Sequence, residues 1–97
     1  MSEPGIKYDE GKPDWALLPF KAVEDVVQVM TFGAKKYAKG NWKHIEDPQR
    51  YLSAAMRHVA AYQDGEDLDP ESHLPHLAHA TCSLLFLHWH EHHKPEH

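Results

Sequence analysis

Two helical runs joined by an acidic turn constrain this chain more than any other feature. In RYLSAAMRHVAAYQDGED, apolar residues recur at three- and four-residue steps, the spacing of a helix with one face buried. Leu52, Ala55, Val59 and Tyr62 form the stripe, and His58 borders it. The run HLPHLAHATCSLLFLHW follows, with His76 and His79 three apart and so on one helical face. Between them lies QDGEDLDPES, which carries Asp64, Glu66, Asp67, Asp69 and Glu71. Helices separated by a short turn pack antiparallel. That would bring His58, the turn carboxylates and the His76–His79 face into one cleft, and imidazoles with carboxylates in a cleft make a divalent-metal site.

The rest of the chain reads as a frame for that cleft. Residues 1–16 form an extended arm punctuated by Pro4, Gly5, Gly11 and Pro13, with Ile6, Tyr8 and Trp15 available to lie on the domain or on a neighbouring subunit. LLPFKAVEDVVQVMTFGAKKY is a helix with Pro19 near its start and a core stripe of Val23, Val26, Val27, Met30 and Ala34. The loop AKGNWKHIEDPQ follows, turning at Gly40-Asn41. Asp47-Pro48 starts the second helix and Gly65 ends it. Ser72 is the expected N-cap of the third helix, with Pro75 in its first turn and Leu74, Leu77, Ala78, Thr81, Leu84 and Leu85 on its apolar face. That helix frays near Pro95, and residues 89–97 read as an irregular His-rich tail resembling a metal-binding tract. The expected fold is all-α: a small antiparallel bundle of three main helices plus the arm, a single domain over residues 1–97, completed by oligomerisation.

Composition narrows the function classes. The 41% apolar fraction and 26% charge are those of a water-soluble globule. The longest apolar stretch, near Leu84–Leu87, is far too short to span a bilayer, so no membrane partner is expected. The single cysteine, Cys82, allows no internal disulfide and fits a reducing compartment, hence the cytoplasm. A net charge of −5 argues against a nucleic-acid duplex, whose binders carry basic stripes. The anomaly is ten histidines, five of them in the last ten residues. Protonating all ten moves the net charge from −5 to +5, so solubility and assembly should respond to pH near 6 to 7.

Around the cleft, Lys35, Lys36 and Tyr37 end the first helix, where cations suit the helix dipole or would clamp a phosphate. Trp42, beside Asn41, either plugs the edge of the core or stacks on a planar base. Arg50 and Arg57 are two turns apart on one face, a spacing that suits two contacts to a polyanion. Nitrogen ligands at His58, His76 and His79 shift the metal from Mg²⁺ toward Mn²⁺, Zn²⁺, Ni²⁺ or Co²⁺. No glycine-rich phosphate loop, Ser/His/Asp order or HExxH pattern is present. Cys82 lies in an apolar helix, a poor setting for a nucleophile.

The segments KYDEGKPDWALLP, VEDVVQVMTFGAKKYAKGNWK, RYLSAAMRHVAAYQDGEDLDPES and LPHLAHATCSLLFL together resemble the phage-associated dATP/dGTP diphosphohydrolase N-terminal domain family, small relatives of MazG-type nucleotide pyrophosphohydrolases. The resemblance covers residues 6–88, and it is the combination of GAKKY, NW, RH, GEDxDxES and HLxHA that makes it specific. It implies an oligomeric (dimeric or tetrameric) helical enzyme that uses a divalent metal to cleave purine deoxynucleoside triphosphates to monophosphate and pyrophosphate, in a bacterial host's cytoplasm. MazG-type enzymes hold Mg²⁺ with EExxE and ExxD motifs; a helix-to-helix alignment puts Arg57-His58 and His76-x-x-His79 at those places. The implied site therefore has His58, His76 and His79 with Glu66, Asp69 or Glu24 on the metal (Mg, Mn, Co or Zn), and Lys35, Lys36, Arg50 and Arg57 on the phosphates. Asn41 and Trp42 would meet the base. The missing acidic motif keeps open a different class, a non-catalytic nucleotide- or metal-binding regulatory module.

Overall fold

A computed structural model describes residues 11–95; most of the expected arm (residues 1–10) and the end of the expected tail (residues 96–97) lie outside the described residues. Three α-helices carry the fold: α1 (Phe20–Tyr37), α2 (Gln49–Gln63) and α3 (His76–His92). Short 3-10 turns at Trp15–Leu17 and Asn41–His44 precede α1 and α2. Among the described residues the only β-type pairing is an isolated bridge between Leu68 and Pro75. The architecture is all-α, as the periodicity requires.

α3 is the central element. It packs on α2 along one side and on α1 along another, and the Asn41–His44 turn closes on its C-terminal half. The pairing of His58 with His76 and of Tyr51 with Phe86 and His90 makes α2 and α3 antiparallel. Val26 and Val29 of α1 and Ala78 and Cys82 of α3 form the buried cluster, backed by Met30, Leu74 and Phe86. Ala55 on α2 and Ala80 on α3 are also buried.

Two stripes differ from those the periodicity suggests. On α1, Val29 is buried while Val27 is 49% exposed. On α3, Leu77, Leu84 and Leu85 stay 44–49% exposed, and the small residues Ala78, Ala80 and Cys82 are buried instead. A helix held between two others needs small residues for close approach. Periodicity alone favours the large leucines. α3 is apolar nearly all round, so no single stripe could be singled out from its sequence.

Turn chemistry sets the helix ends. Asp47 Oδ1 accepts from the Gln49 N–H at 3.2 Å, and Pro48 holds helical dihedrals ahead of α2, so the Asp-Pro start is present within one residue. At the other end Gly65, at φ +100°, donates to Tyr62 O, and Glu66 N–H donates to Ala61 O. This paired 5→2 and 6→1 closure needs the left-handed glycine, and it fixes where Glu66 emerges. Ser72 is not the cap of α3. Its hydroxyl accepts from Leu74 N–H at 3.2 Å and pairs with His79, because the Leu68–Pro75 bridge keeps Pro75 extended and delays the helix to His76. Trp89–His92 of the expected irregular tail are the last turn of α3.

The loop before α2 is pinned by aromatic packing. Trp42 stacks on Phe86 with centroids 4.1 Å apart and rings 4° from parallel, and Trp89 meets it edge-on at 4.9 Å. Tyr51 Oη donates to the Trp42 carbonyl at 3.2 Å, and His90 Nε2–H donates to the same oxygen at 2.8 Å. Burial raises the Tyr51 phenol above its usual range. Trp42 thus occupies the core edge, with Lys43 Nζ 5.6 Å from its ring centroid.

Candidate metal centre

The cluster lies where α2 and α3 are bridged by the acidic turn. His58 projects from the C-terminal half of α2, and its Nδ1 lies 2.8 Å from His76 Nδ1 at the start of α3. His76 is almost fully buried, and its Nε2 lies 2.7 Å from Glu66 Oε1. Backbone bonds hold this placement: His76 N–H donates to Asp67 O, and Asp69 N–H to Leu74 O, each at 2.8 Å. The His79 ring stacks on His58, with centroids 4.5 Å apart and rings 13° from parallel, and its Nε2 lies 2.6 Å from Ser72 Oγ.

Asp69 organises the loop. Its Oδ2 accepts from the N–H groups of Ser72 (2.8 Å) and Glu71 (3.0 Å), and its carbonyl accepts from His73, whose φ of +63° closes the turn. Glu71 in turn binds Lys36 of α1 at 2.6 Å, which brings a lysine to the rim of the cluster.

The hydrogen bonds constrain the protons. Glu66 accepts, so His76 Nε2 carries the hydrogen. The single proton between His58 Nδ1 and His76 Nδ1 makes one ring the donor and the other the acceptor. Burial is the main reason His58 is held below its ordinary pKa, and the neighbouring His79 and His76 add to the effect. His79 is lowered by burial too, partly offset by Asp69. Burial alone would raise Asp69, but the Ser72 and Glu71 N–H groups and nearby His79 outweigh it, and its carboxyl is lowered. Neutral imidazoles beside an ionised carboxylate are the protonation states a metal demands.

His58, Asp69 and His76 each offer one ligand atom, and all three atoms lie within 4.8 Å of one another. Two nitrogens on a tetrahedral ion with bonds of about 2.1 Å sit about 3.4 Å apart. The present 2.8 Å is the same pair drawn together by a shared proton. With that proton carried on His58 Nε2 instead, both Nδ1 lone pairs would be free for a cation after a separation of about half an ångström. The residues fit the group. Glu66 would then stand behind the ligating ring, where a carboxylate fixes tautomer and orientation.

The other sequence candidates are distributed around this centre. Glu24 is exposed on α1 and belongs to no metal-spaced group among the described residues. Arg57 and Lys35 are exposed, and Arg50 is exposed at the opposite end of α2. Tyr37 is 61% exposed, with Lys36 Nζ 5.2 Å from its ring centroid, and Asn41 is exposed. The roles of Ser72 and Glu71 escape a reading by spacing, since both look like ordinary cap and surface residues. Only the tertiary contacts to His79 and Lys36 distinguish them.

Fold and cluster together define an all-helical domain carrying a preformed imidazole–carboxylate group of metal-ligand composition. The profile of the family described as "dATP/dGTP diphosphohydrolase, N-terminal" matches residues 2–97, and the chain belongs to that family. A protein of Salmonella phage PMBT28 called dATP/dGTP diphosphohydrolase is 38% identical over 85 residues, which is 88% of this chain but 29% of that protein. The chain therefore spans under a third of that relative's length. No solved structure matches. No helix among the described residues is long and apolar enough to cross a membrane.

Proposed function

We propose that this domain holds a divalent cation at His58, Asp69 and His76 and hydrolyses (deoxy)nucleoside triphosphates, purine deoxynucleotides foremost, to monophosphate and pyrophosphate. The observation that carries the reading is the convergence of those three ligand atoms within 4.8 Å. Two nitrogens and one oxygen favour Mn²⁺, Co²⁺ or Zn²⁺ over Mg²⁺. When bound, such an ion polarises a phosphoryl oxygen and acidifies a water.

The chain's own residues supply the rest. Glu66 fixes the His76 tautomer from behind. The His79 ring, stacked on His58 and hydrogen-bonded to the Ser72 hydroxyl, offers a proton acceptor beside the centre. Lys36 is the phosphate contact. Its partner Glu71 is exposed, as is Lys36 itself, so that ion pair is weak and a phosphate can displace it. Lys35 and Arg57 add positive charge around it and Arg50 is a more distant contact, while Tyr37 and Asn41, with Trp42 behind them, border the base. A second copy of the chain completes the cleft: Leu52, Met56, Val59, Leu77, Leu84 and Leu85 leave apolar surface open on α2 and α3, which a homodimer or tetramer would cover. The setting that supplies such substrates is the cytoplasm of a phage's bacterial host.

The test is pyrophosphate release from dATP, dGTP and the other triphosphates with Mg²⁺, Mn²⁺, Co²⁺ and Zn²⁺ in turn. Metal-dependent monophosphate that disappears in His58→Ala and His76→Ala, with helicity retained, is the expected result. Undiminished turnover in either variant refutes the site. A second reading, a nucleotide- or metal-binding regulatory module without turnover, is favoured by one observation: most of the named relative lies outside the matched region. Nucleotide binding with no product under any metal would select it.

A further inference from the structure

The histidine-rich end of α3 is sorted by the fold into two classes. His90 turns inward and donates to the Trp42 carbonyl. His88, His92 and His93 are all exposed and stand together: the His88 and His92 centroids are 4.8 Å apart, and those of His88 and His93 are 5.5 Å apart. His88 and His92 are one turn apart on one helical face, a spacing by which helices chelate metal. His93 would point elsewhere if α3 continued. It leaves the helical path at φ −130°, and that departure brings its ring back toward His88.

The ring spacing can be compared with a chelate. With metal–nitrogen bonds of about 2.1 Å and ring centroids about 1.1 Å behind the nitrogens, two imidazoles on one ion have centroids roughly 4.5–5.2 Å apart. The 4.8 Å pair falls inside that range and the 5.5 Å pair lies outside it. The three rings are not drawn to ligand spacing in the structure, and a metal would close them by turning exposed side chains. The negative end of the α3 dipole adds attraction for a cation at this position.

We propose that His88, His92 and His93 form a second metal site, taking a divalent transition-metal ion of the zinc, cobalt, nickel or copper kind with water in the remaining position. Three nitrogen donors select those ions over Mg²⁺ and Ca²⁺. The site is separate from the His58 cluster: His79 and His88 are nine residues apart on α3, about 14 Å along its axis.

The experiment is titration of Zn²⁺, followed by calorimetry, into full-length protein purified without metal-affinity resin and stripped with chelator. His88→Ala and His92→Ala should each lose one equivalent of Zn²⁺ or bind it at least ten-fold more weakly. His44→Ala, which removes an exposed histidine elsewhere, should bind as the parent does. His58→Ala should keep this equivalent, so the outcome is independent of the nucleotide reading, which turnover tests. Parent-like stoichiometry and affinity in both His88→Ala and His92→Ala, or an equal loss in His44→Ala, overturns the site.

Discussion

Replacing His76 by alanine tests the geometry of the cluster without metal or substrate. The ring is 4% exposed and joins His58 on one nitrogen to Glu66 on the other. Removing it takes away a buried side chain's worth of packing, about 1–2 kcal/mol after partial collapse of the seam. It also leaves the half-buried His58 Nδ1 without its partner, about 1 kcal/mol more. The Glu66 contact adds little, since that carboxylate is 53% exposed. The sum is about 2–3 kcal/mol, which for a domain of this size lowers Tm by roughly 8–24 °C. The assay is a circular-dichroism melt in chelator at pH 7.5, comparing His76→Ala with the parent and with Glu66→Gln, which keeps a hydrogen-bond acceptor. Glu66→Gln should stay within about 0.5 kcal/mol of the parent. A His76→Ala melt within 2 °C of the parent would mean that the His58–His76 contact is not formed in solution, and the metal centre would fall with it.

Three further outcomes follow from the same contacts. His58 and His79 lie below their ordinary 6.5 when folded, so the unfolded chain binds more protons below that value; their contribution to stability is full above pH 6.5 and lost as pH falls through their lowered values, read by Tm between pH 7.5 and 5. A Tm that rises on acidification over that window would contradict the buried neutral imidazoles. Ala38 closes α1 at φ +105° and ψ +145°, a region nearly reserved for glycine, so Ala38→Gly should stabilise the fold by about 1 kcal/mol, measured by urea unfolding. Burial pushes the Cys82 thiol up to about 11, so native protein should label with a thiol reagent at pH 8 far more slowly than urea-unfolded protein, by mass spectrometry.

Much of the candidate site was legible because its signals are local. His58, His76 and His79 stand out by type and helical spacing, and the acidic turn between them requires the two helices to fold back. Gly65 could be identified as a helix end, and its closure then places Glu66. What escaped reading depends on partners distant in sequence: Lys36 meets Glu71 across 35 residues, and Ser72 leaves its expected cap for His79. Trp42 shows the same limit, since only its packing on Phe86 and Trp89 selects the core-edge role from the two its chemistry allows.

The sequence by itself determined that the chain is helical, where the helices begin and end to within a few residues, and which imidazoles and carboxylates share the α2–α3 region. Those are consequences of periodicity and turn chemistry, which act over a few residues. Only the tertiary structure decided that α3 lies between α1 and α2, burying Ala78, Ala80 and Cys82 while Leu77, Leu84 and Leu85 face outward. It likewise decided that Asp69 stands with His58 and His76 while Glu66 supports from behind. An apolar helix fits neighbours on any side, and several carboxylates in one turn are equivalent until backbone hydrogen bonds aim each in a fixed direction.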